Sequence, residues 1–270
     1  DCYGIPMKDT TLEFGIGKIP EPYELVINEF YPDPDPTISP DLPEYEFVEL
    51  VNTSESLLEL EGTKLADVTT VGILPKVTLK PGEYIIVVED ANAFFYRSFG
   101  KVAPLDDFPS LNNTGDRISL RNLNGQLLHQ IEYTTDWYND EGKEDGGYTI
   151  EQIDPAFPCS GVLNWAASTD IKGGTPGKEN SIAGSFSDNS APTIYKVAVL
   201  SDTALQIEFN EPLDSIYSAQ NMQISINPNI TITTKTIINQ TTINCVLNTP
   251  LLTRTEYTFE VSGIADCAGN

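Results

Sequence analysis

The sequence predicts an all-β protein built as two β-sandwiches joined by a short linker. Three observations carry that prediction. Short runs rich in Val, Ile, Thr, Tyr and Phe recur between 19 Gly and 19 Pro, the punctuation of strands and turns. Apolar residues fill 40% of 270 positions, enough for one large core or two ordinary ones. The stretch "AGSFSDNSAPTIY" then interrupts the strand pattern with linker composition. The chain divides accordingly into an N-terminal segment 1–22, a first sandwich over 23–183, a linker at 184–191 and a second sandwich over 192–270.

The N-terminal segment ends in the proline-containing hinge "GKIPEPYE". Strands follow at "YELVINEFY", "EYEFVELVN", "TKLADV", "YIIVVE", "RISLRN", "LLHQIEY" and "YTIEQI". In "EFVELVN" the apolar Phe47, Val48, Leu50 and Val51 do not alternate, so this strand is central or bulged. Leu58, Leu60 and Leu65 return to the core after the turn-forming "NTSES". Pro81-Gly82 in "LKPGEY" sets a type II turn, because Gly accepts positive φ. "DANAFFYRSFG" is the one helical candidate, and "NNTGD" gives Gly115 a place where positive φ is allowed. Asn124-Gly125 between two alternating runs marks a hairpin, with Ile118 and Leu120 facing inward. Beyond the linker, three sets alternate onto one face: Leu205, Ile207, Phe209; Ile243, Cys245, Leu247; and Tyr257, Phe259, Val261. That segment reads as a small immunoglobulin-like sandwich, and so does the series of short strands before it.

Charge limits the partners. Fifteen Lys+Arg against 40 Asp+Glu give a net charge of −25. A surface this acidic repels phosphate backbones, so no nucleic-acid partner is expected. No apolar run has the length of a membrane span, so no membrane insertion is expected. A secretion signal is not read within the chain either.

Two loops offer candidate sites. Asp33, Asp35 and Asp41 in "YPDPDPTISPDLPEYE" are candidate calcium ligands, since alternating Asp-Pro is rigid and exposes its carboxylates. The Gly-centred spacing of an EF-hand loop is missing there. Trp137, Tyr138 and Asp140 in "DWYNDEGKEDGG" are candidate contacts for a sugar or partner protein, with the aromatic pair expected at the surface. Catalysis has less support. The single His, His129, lies within a strand and reads as structural, with no nucleophile elbow nearby. Acids are so abundant that no two stand out as a glycosidase pair. No Gly-rich phosphate loop precedes a helix. No catalytic or cofactor-binding residue is therefore assigned, calcium is the one cofactor considered, and an enzyme is not expected.

Six phrases in order carry a resemblance: "LVINEFYPDP", "EYEFVELVNTSESLLELEGTKLAD", "LKPGEYIIVVED", "FPSLNNTGDRISLRNLNGQLLHQIEY", "GGYTIEQIDP" and "NWAASTDIKGGTPGKENS". Over about residues 23–181 the chain resembles the lamin tail domain family in its bacterial form. Within it, Trp165 is expected to pack over the core as a lid, and "GGTPGKEN" to end the domain as a Gly/Pro clamp. Over about 191–270, "APTI", "FNEPLD" and the closing "SGIADCAGN" resemble a bacterial immunoglobulin-like domain of secreted, multi-domain surface proteins. The resemblance implies a non-enzymatic adhesion, spacer or display module of a secreted or cell-surface bacterial protein, meeting a protein or glycan and its own neighbouring domains. A cation- or glycan-binding module, and part of a surface hydrolase with an acidic cleft, are the competing readings.

The cysteines are Cys2, Cys159, Cys245 and Cys267. If 242–248 and 257–263 pair as a hairpin, Cys267 lies roughly 23 Å from Cys245 at ~3.3 Å per residue, too far for a disulfide. Cys245 then reads as a buried small hydrophobe. Cys2 and Cys159 could meet at the seam of the first domain, with free thiols the default. The resemblance also implies that the second domain is short by its last strand. "DCYG" at the N-terminus echoes "DCAGN" at 266–270, so "TTLEFG", Thr10 to Gly15, is expected to be the corresponding strand of a preceding repeat.

Overall fold

The computed structural model describes residues 15–39, 41–228 and 230–270. The first unit holds β1 (Leu25–Tyr31), β2 (Phe47–Asn52), β3 (Leu58–Glu59), β4 (Lys64–Ala66), β5 (Val71–Ile73), β6 (Thr78–Leu79), β7 (Tyr84–Glu89), β8 (Val102–Leu105), β9 (Gly115–Arg121), β10 (Leu127–Thr134), β11 (Ile150–Gln152) and β12 (Trp165–Ala167). One short helix, α1 (Ala93–Tyr96), lies between β7 and β8. A six-stranded sheet of order β12-β11-β1-β2-β7-β8 faces a four-stranded sheet of order β10-β9-β4-β5. Between them pack Leu25, Ile27, Phe30, Val48, Leu50, Ile85 and Val87 from the large sheet, with Leu65, Ile118, Leu120, Leu128 and Ile131 from the small one.

The large sheet is buried on its outer face as well. There Tyr31, Phe47, Ile86 and Val88 pack with Leu42 and with Tyr96 of α1. A strand covered on both faces loses the apolar/polar alternation, which accounts for "EFVELVN". That strand, β2, sits centrally between β1 and β7, and a bulge lies in its partner β1 between Ile27 and Glu29. The Pro81-Gly82 turn forms as type II, with Gly82 at φ +69° and the Glu83 N–H donating to Lys80 O at 3.0 Å. The β9–β10 hairpin also forms, but only Gly125 of its pair takes positive φ, and the register shifts between Leu127 and His129. It is a bulged hairpin in place of a two-residue primed turn. Strand β8 runs parallel to β7 and carries Pro104. Proline fits there because the strand is at the sheet edge, where a missing donor is harmless.

The second unit holds β13 (Ile194–Ser201), β14 (Ala204–Phe209), α2 (Ser215–Asn221), β15 (Gln223–Asn227), β16 (Ile232–Asn239), β17 (Thr242–Leu247) and β18 (Thr258–Ser262). A four-stranded sheet, β13-β14-β17-β16, and a two-stranded sheet, β15-β18, close on Leu205, Ile207, Phe209, Ile243, Cys245 and Leu247. Tyr257, Phe259 and Val261 pack against this core while only partly buried. Asp214 caps α2, its side chain accepting the N–H groups of Ile216 and Tyr217.

The cysteine expectations need correction. Cys159 and Cys267 form a disulfide with Cα atoms 5.5 Å apart, so neither is a free thiol and Cys159 is not held for Cys2. Their separation of 108 residues in sequence gave no hint of proximity; the end of the second unit returns to the 154–164 loop of the first. Cys245 is free and buried, as expected, for a different reason. Strand β17 pairs with β14 and β16, and β18 with β15, so the assumed hairpin of 242–248 with 257–263 does not exist. Cys2 and, apart from Gly15, the strand expected at 10–15 lie outside the described residues. Besides the disulfide, the Tyr23 hydroxyl donates to Asp214 Oδ1 at 2.9 Å and Gln240 Nε2 donates to Gln130 O at 3.1 Å across the units. The linker lies along the first unit, where the Phe186 N–H donates to Asp154 Oδ2.

Candidate functional site

Three buried carboxyl groups lie in a row across three neighbouring strands. Glu29 on β1 stands opposite Glu49 on β2 and Glu151 on β11, and all three are fully buried. The "GGTPGKENS" segment folds over them. The Thr175 N–H donates to Glu29 Oε1 at 2.7 Å, and the Thr149 hydroxyl to the same oxygen at 2.6 Å. The Thr175 hydroxyl donates to Glu151 Oε1 at 2.8 Å, and the Ser181 hydroxyl to Glu151 Oε2 at 2.7 Å. Glu49 accepts from Asn28 Nδ2 at 3.1 Å and from the Gly177 N–H. Burial, then the neighbouring charges of Glu49 and Glu151, hold Glu29 well above the usual carboxylate range. Burial pushes Glu49 up to about 8, with Glu151 adding to the effect and the Gly177 and Asn28 donors opposing it. Like charges in a dry site cannot all ionise, so Glu29 and Glu49 retain protons at neutral pH. Such groups have the pKa of acid–base catalysts, yet here the covering segment takes up their oxygens. The segment, expected as a Gly/Pro clamp, seals this row.

His129 is a second buried polar link. The Ile27 N–H, next to the β1 bulge, donates to its Nδ1 at 2.9 Å. Because Nδ1 accepts, the proton resides on Nε2, which donates to Pro158 O at 2.7 Å. Burial lowers its pKa to about 4. The structural reading of this histidine agrees with that geometry.

The sequence-predicted ligands are dispersed. Asp33 Oδ1 accepts the Asp35 N–H at 3.3 Å, Asp35 itself is exposed, and Asp41 pairs with Lys172 at 3.6 Å. Among the described residues the carboxylates that converge within 4.8 Å are instead Asp188, Glu211 and Asp266. Asp266 accepts from the Asn270 N–H at 2.9 Å and from Asn270 Nδ2 at 3.1 Å. Burial and the charges of Asp188 and Asp266 raise the pKa of Glu211. The linker supplies one member of this trio and the "DCAGN" motif another, a convergence that no local spacing encodes.

The aromatic expectation is overturned. Trp137 and Tyr138 are buried, in a 3-10 turn at Thr135–Tyr138. Trp137 lies 5.4 Å from Trp165, which caps the core against Phe30 at 5.5 Å. Two large rings gain more by closing the end of the sandwich than by facing water. Asp140 stays exposed beside Lys143. Exposed rings lie elsewhere, among them Phe94 and Phe95 of α1, which are 73% and 46% accessible, and Phe95 lies 5.0 Å from Tyr45. These two line a hollow of about 750 Å³ with Asp41, Glu44 and Lys172, Phe94 standing beside it. The consecutive Phe-Phe was the signal, since a one-turn helix cannot bury two adjacent rings on one face.

Comparison with known families matches residues 20–135 to the Lamin Tail Domain. The match spans β1 to β10 and stops short of the segment that seals the carboxylate row. No curated protein and no solved structure matches the chain.

Proposed function

We propose that this chain is a non-enzymatic structural module of a secreted or cell-surface bacterial protein, one that spaces or displays neighbouring domains and meets a protein or glycan partner. The observation that supports it is the Cys159–Cys267 disulfide between the two units. Such bridges persist in oxidising compartments and are rare in the cytosol. The match of residues 20–135 to the lamin tail domain points to an immunoglobulin-like structural fold. The sealed state of Glu29, Glu49 and Glu151 agrees with it, because these carboxyls pack against Thr175, Gly177 and Ser181 and face no open cleft.

The test is alkylation of the natively isolated protein followed by peptide mass mapping, with a panel of glycoside, ester and phosphoester substrates run alongside. The expected result is a Cys159–Cys267 peptide pair that appears only without reductant, and no turnover. Reduced Cys159 and Cys267 in the native protein, or turnover lost on substitution of one carboxylate, would overturn the reading. A second reading, cation binding, draws on the convergence of Asp188, Glu211 and Asp266. A calcium-dependent rise in Tm that Asp266→Asn removes would favour it; the same rise in the variant would not.

A further inference from the structure

A cleft of about 440 Å³ opens where the second unit meets the first, between the outer face of β9 and β10 on one side and α2 with β16 on the other. Acidic residues outnumber basic ones 40 to 15 in this chain. Among the described residues, the three charged ones that line the cleft are nevertheless all basic: Arg117 and Arg121 from β9, and Lys235 from β16. Arg117 and Arg121 are four apart on one strand, so both project from its outer face, away from the inward Ile118 and Leu120. Arg121 Nη1 is held by Gly125 O at 3.1 Å and Lys235 Nζ by Met222 O at 2.5 Å. Both are thereby positioned at the cleft with donor capacity to spare, since a guanidinium has five N–H groups and an ammonium three. Among the described residues, Arg117 Nε is buried without a hydrogen-bond partner. The nearest carboxylate, Glu132 Oε2, stands 4.0 Å away, beyond hydrogen-bond reach. The Arg117 side chain as a whole is 41% exposed, so the rest of its five-donor guanidinium is left to meet an anionic oxygen entering the cleft.

The remaining polar lining is neutral. Gln130, Ser215 and Thr236 stand around the cations, bringing amide and hydroxyl groups from both units. Charge-assisted donors for one anionic group, ringed by neutral amides and hydroxyls, match a ligand with one carboxylate on a hydroxyl-rich frame. We propose that this inter-unit cleft binds an acidic saccharide of the uronate class, its carboxylate at Arg117 and Lys235 and its hydroxyls on the neutral lining. The site exists only while the two units are docked, so the Cys159–Cys267 bridge maintains it. The proposal does not depend on the cellular compartment of the protein.

Isothermal titration of the oxidised full chain with a uronate trisaccharide tests it, against a neutral trisaccharide and inorganic phosphate. The uronate is expected to bind and to weaken with added salt, while the neutral sugar does not bind. Arg117→Gln and Lys235→Gln are each expected to weaken binding about tenfold or more, the loss of one charge-assisted hydrogen bond. Lys76→Gln, an exposed cation outside the cleft, is expected to change nothing. Circular dichroism of each variant separates lost binding from lost folding. Four results would overturn the proposal: no uronate binding, equal binding of the neutral sugar, unchanged affinity in folded Arg117→Gln and Lys235→Gln, or an equal loss in Lys76→Gln. Phosphate binding as tightly as the uronate would also overturn the saccharide assignment, leaving a simple anion site.

Discussion

Glu49 and His129 are buried groups whose titrations oppose each other. Glu49 is held up to about 8 and Glu29 well above its ordinary value, chiefly by burial. A carboxyl raised in the folded state contributes stability that is complete below its unfolded pKa and lost as pH rises through its folded one. Glu49 therefore stabilises on acidification between about pH 8 and about 4.5, and Glu29 acts in the same direction. His129 is lowered to about 4. Its unfolded form takes a proton near 6.5 while the folded form does not, so its contribution is complete above that pH and lost as pH falls to about 4, about 3 kcal/mol in all. Urea unfolding is expected to give maximal stability near pH 5, falling on both sides. Glu49→Gln should flatten the limb between pH 5 and 8, at a cost of about 1–3 kcal/mol because its amide N–H₂ must face a donor, either Asn28 Nδ2 or the Gly177 N–H. Stability that climbs steadily from pH 5 to 8 would contradict the carboxyl assignment, because only His129 contributes a rise with pH, and that rise ends near 6.5. The sequence carried this row in plain view: "INEFY", "VELVN" and "TIEQI" each embed one Glu in an apolar strand. An acid in such a setting must be partnered or protonated. What the strands could not reveal was the register that sets the three side by side.

At the scale of elements, the segment that covers this row depends on one glycine. Gly177 has φ +82°, and a Cβ there would come within 2.1 Å of Phe99 O. Its N–H also donates to Glu49. Gly177→Ala is expected to cost about 2 kcal/mol or more, read as a drop in Tm, and to open residues 170–182 to limited proteolysis while the β9–β10 hairpin stays protected. Equal protection of that segment in the variant would show that it docks without this contact. Strands of six to eight residues were legible because period-2 alternation or a fully apolar run needs that length to declare itself. β3, β5, β6 and β12, at two or three residues each, are set by pairing partners and leave no period to read. The acid-rich loop after β10 misled for a related reason. Its charges mark the solvent-facing rim, while Trp137 and Tyr138 turn inward to finish the core that Trp165 caps.

At the scale of the molecule, the two units differ in how much core they own. Among the described residues, twenty-five buried ones form the main core of the first and nine that of the second, so the second has less apolar burial to offset its chain entropy. Its sheet of β15 and β18 has only two strands, and much of its apolar surface is half-covered. The Cys159–Cys267 bridge compensates from outside. It closes a loop with a sequence separation of 108, which removes about 4–5 kcal/mol of denatured-chain entropy in the loop-closure account, most of it from the second unit and linker. Tyr23–Asp214 and Gln240–Gln130 add contacts across the seam, modest alone because each exchanges for water. Calorimetry of the oxidised chain is therefore expected to show one cooperative transition. Cys159→Ser with Cys267→Ser should split it, with the second unit melting first and the first unit's midpoint moving by only a few degrees. A single unshifted transition in the double variant would mean that the docked surfaces alone hold the units together. A first unit that melted with the second would mean that the first draws its stability from the seam, against the inequality of the two cores.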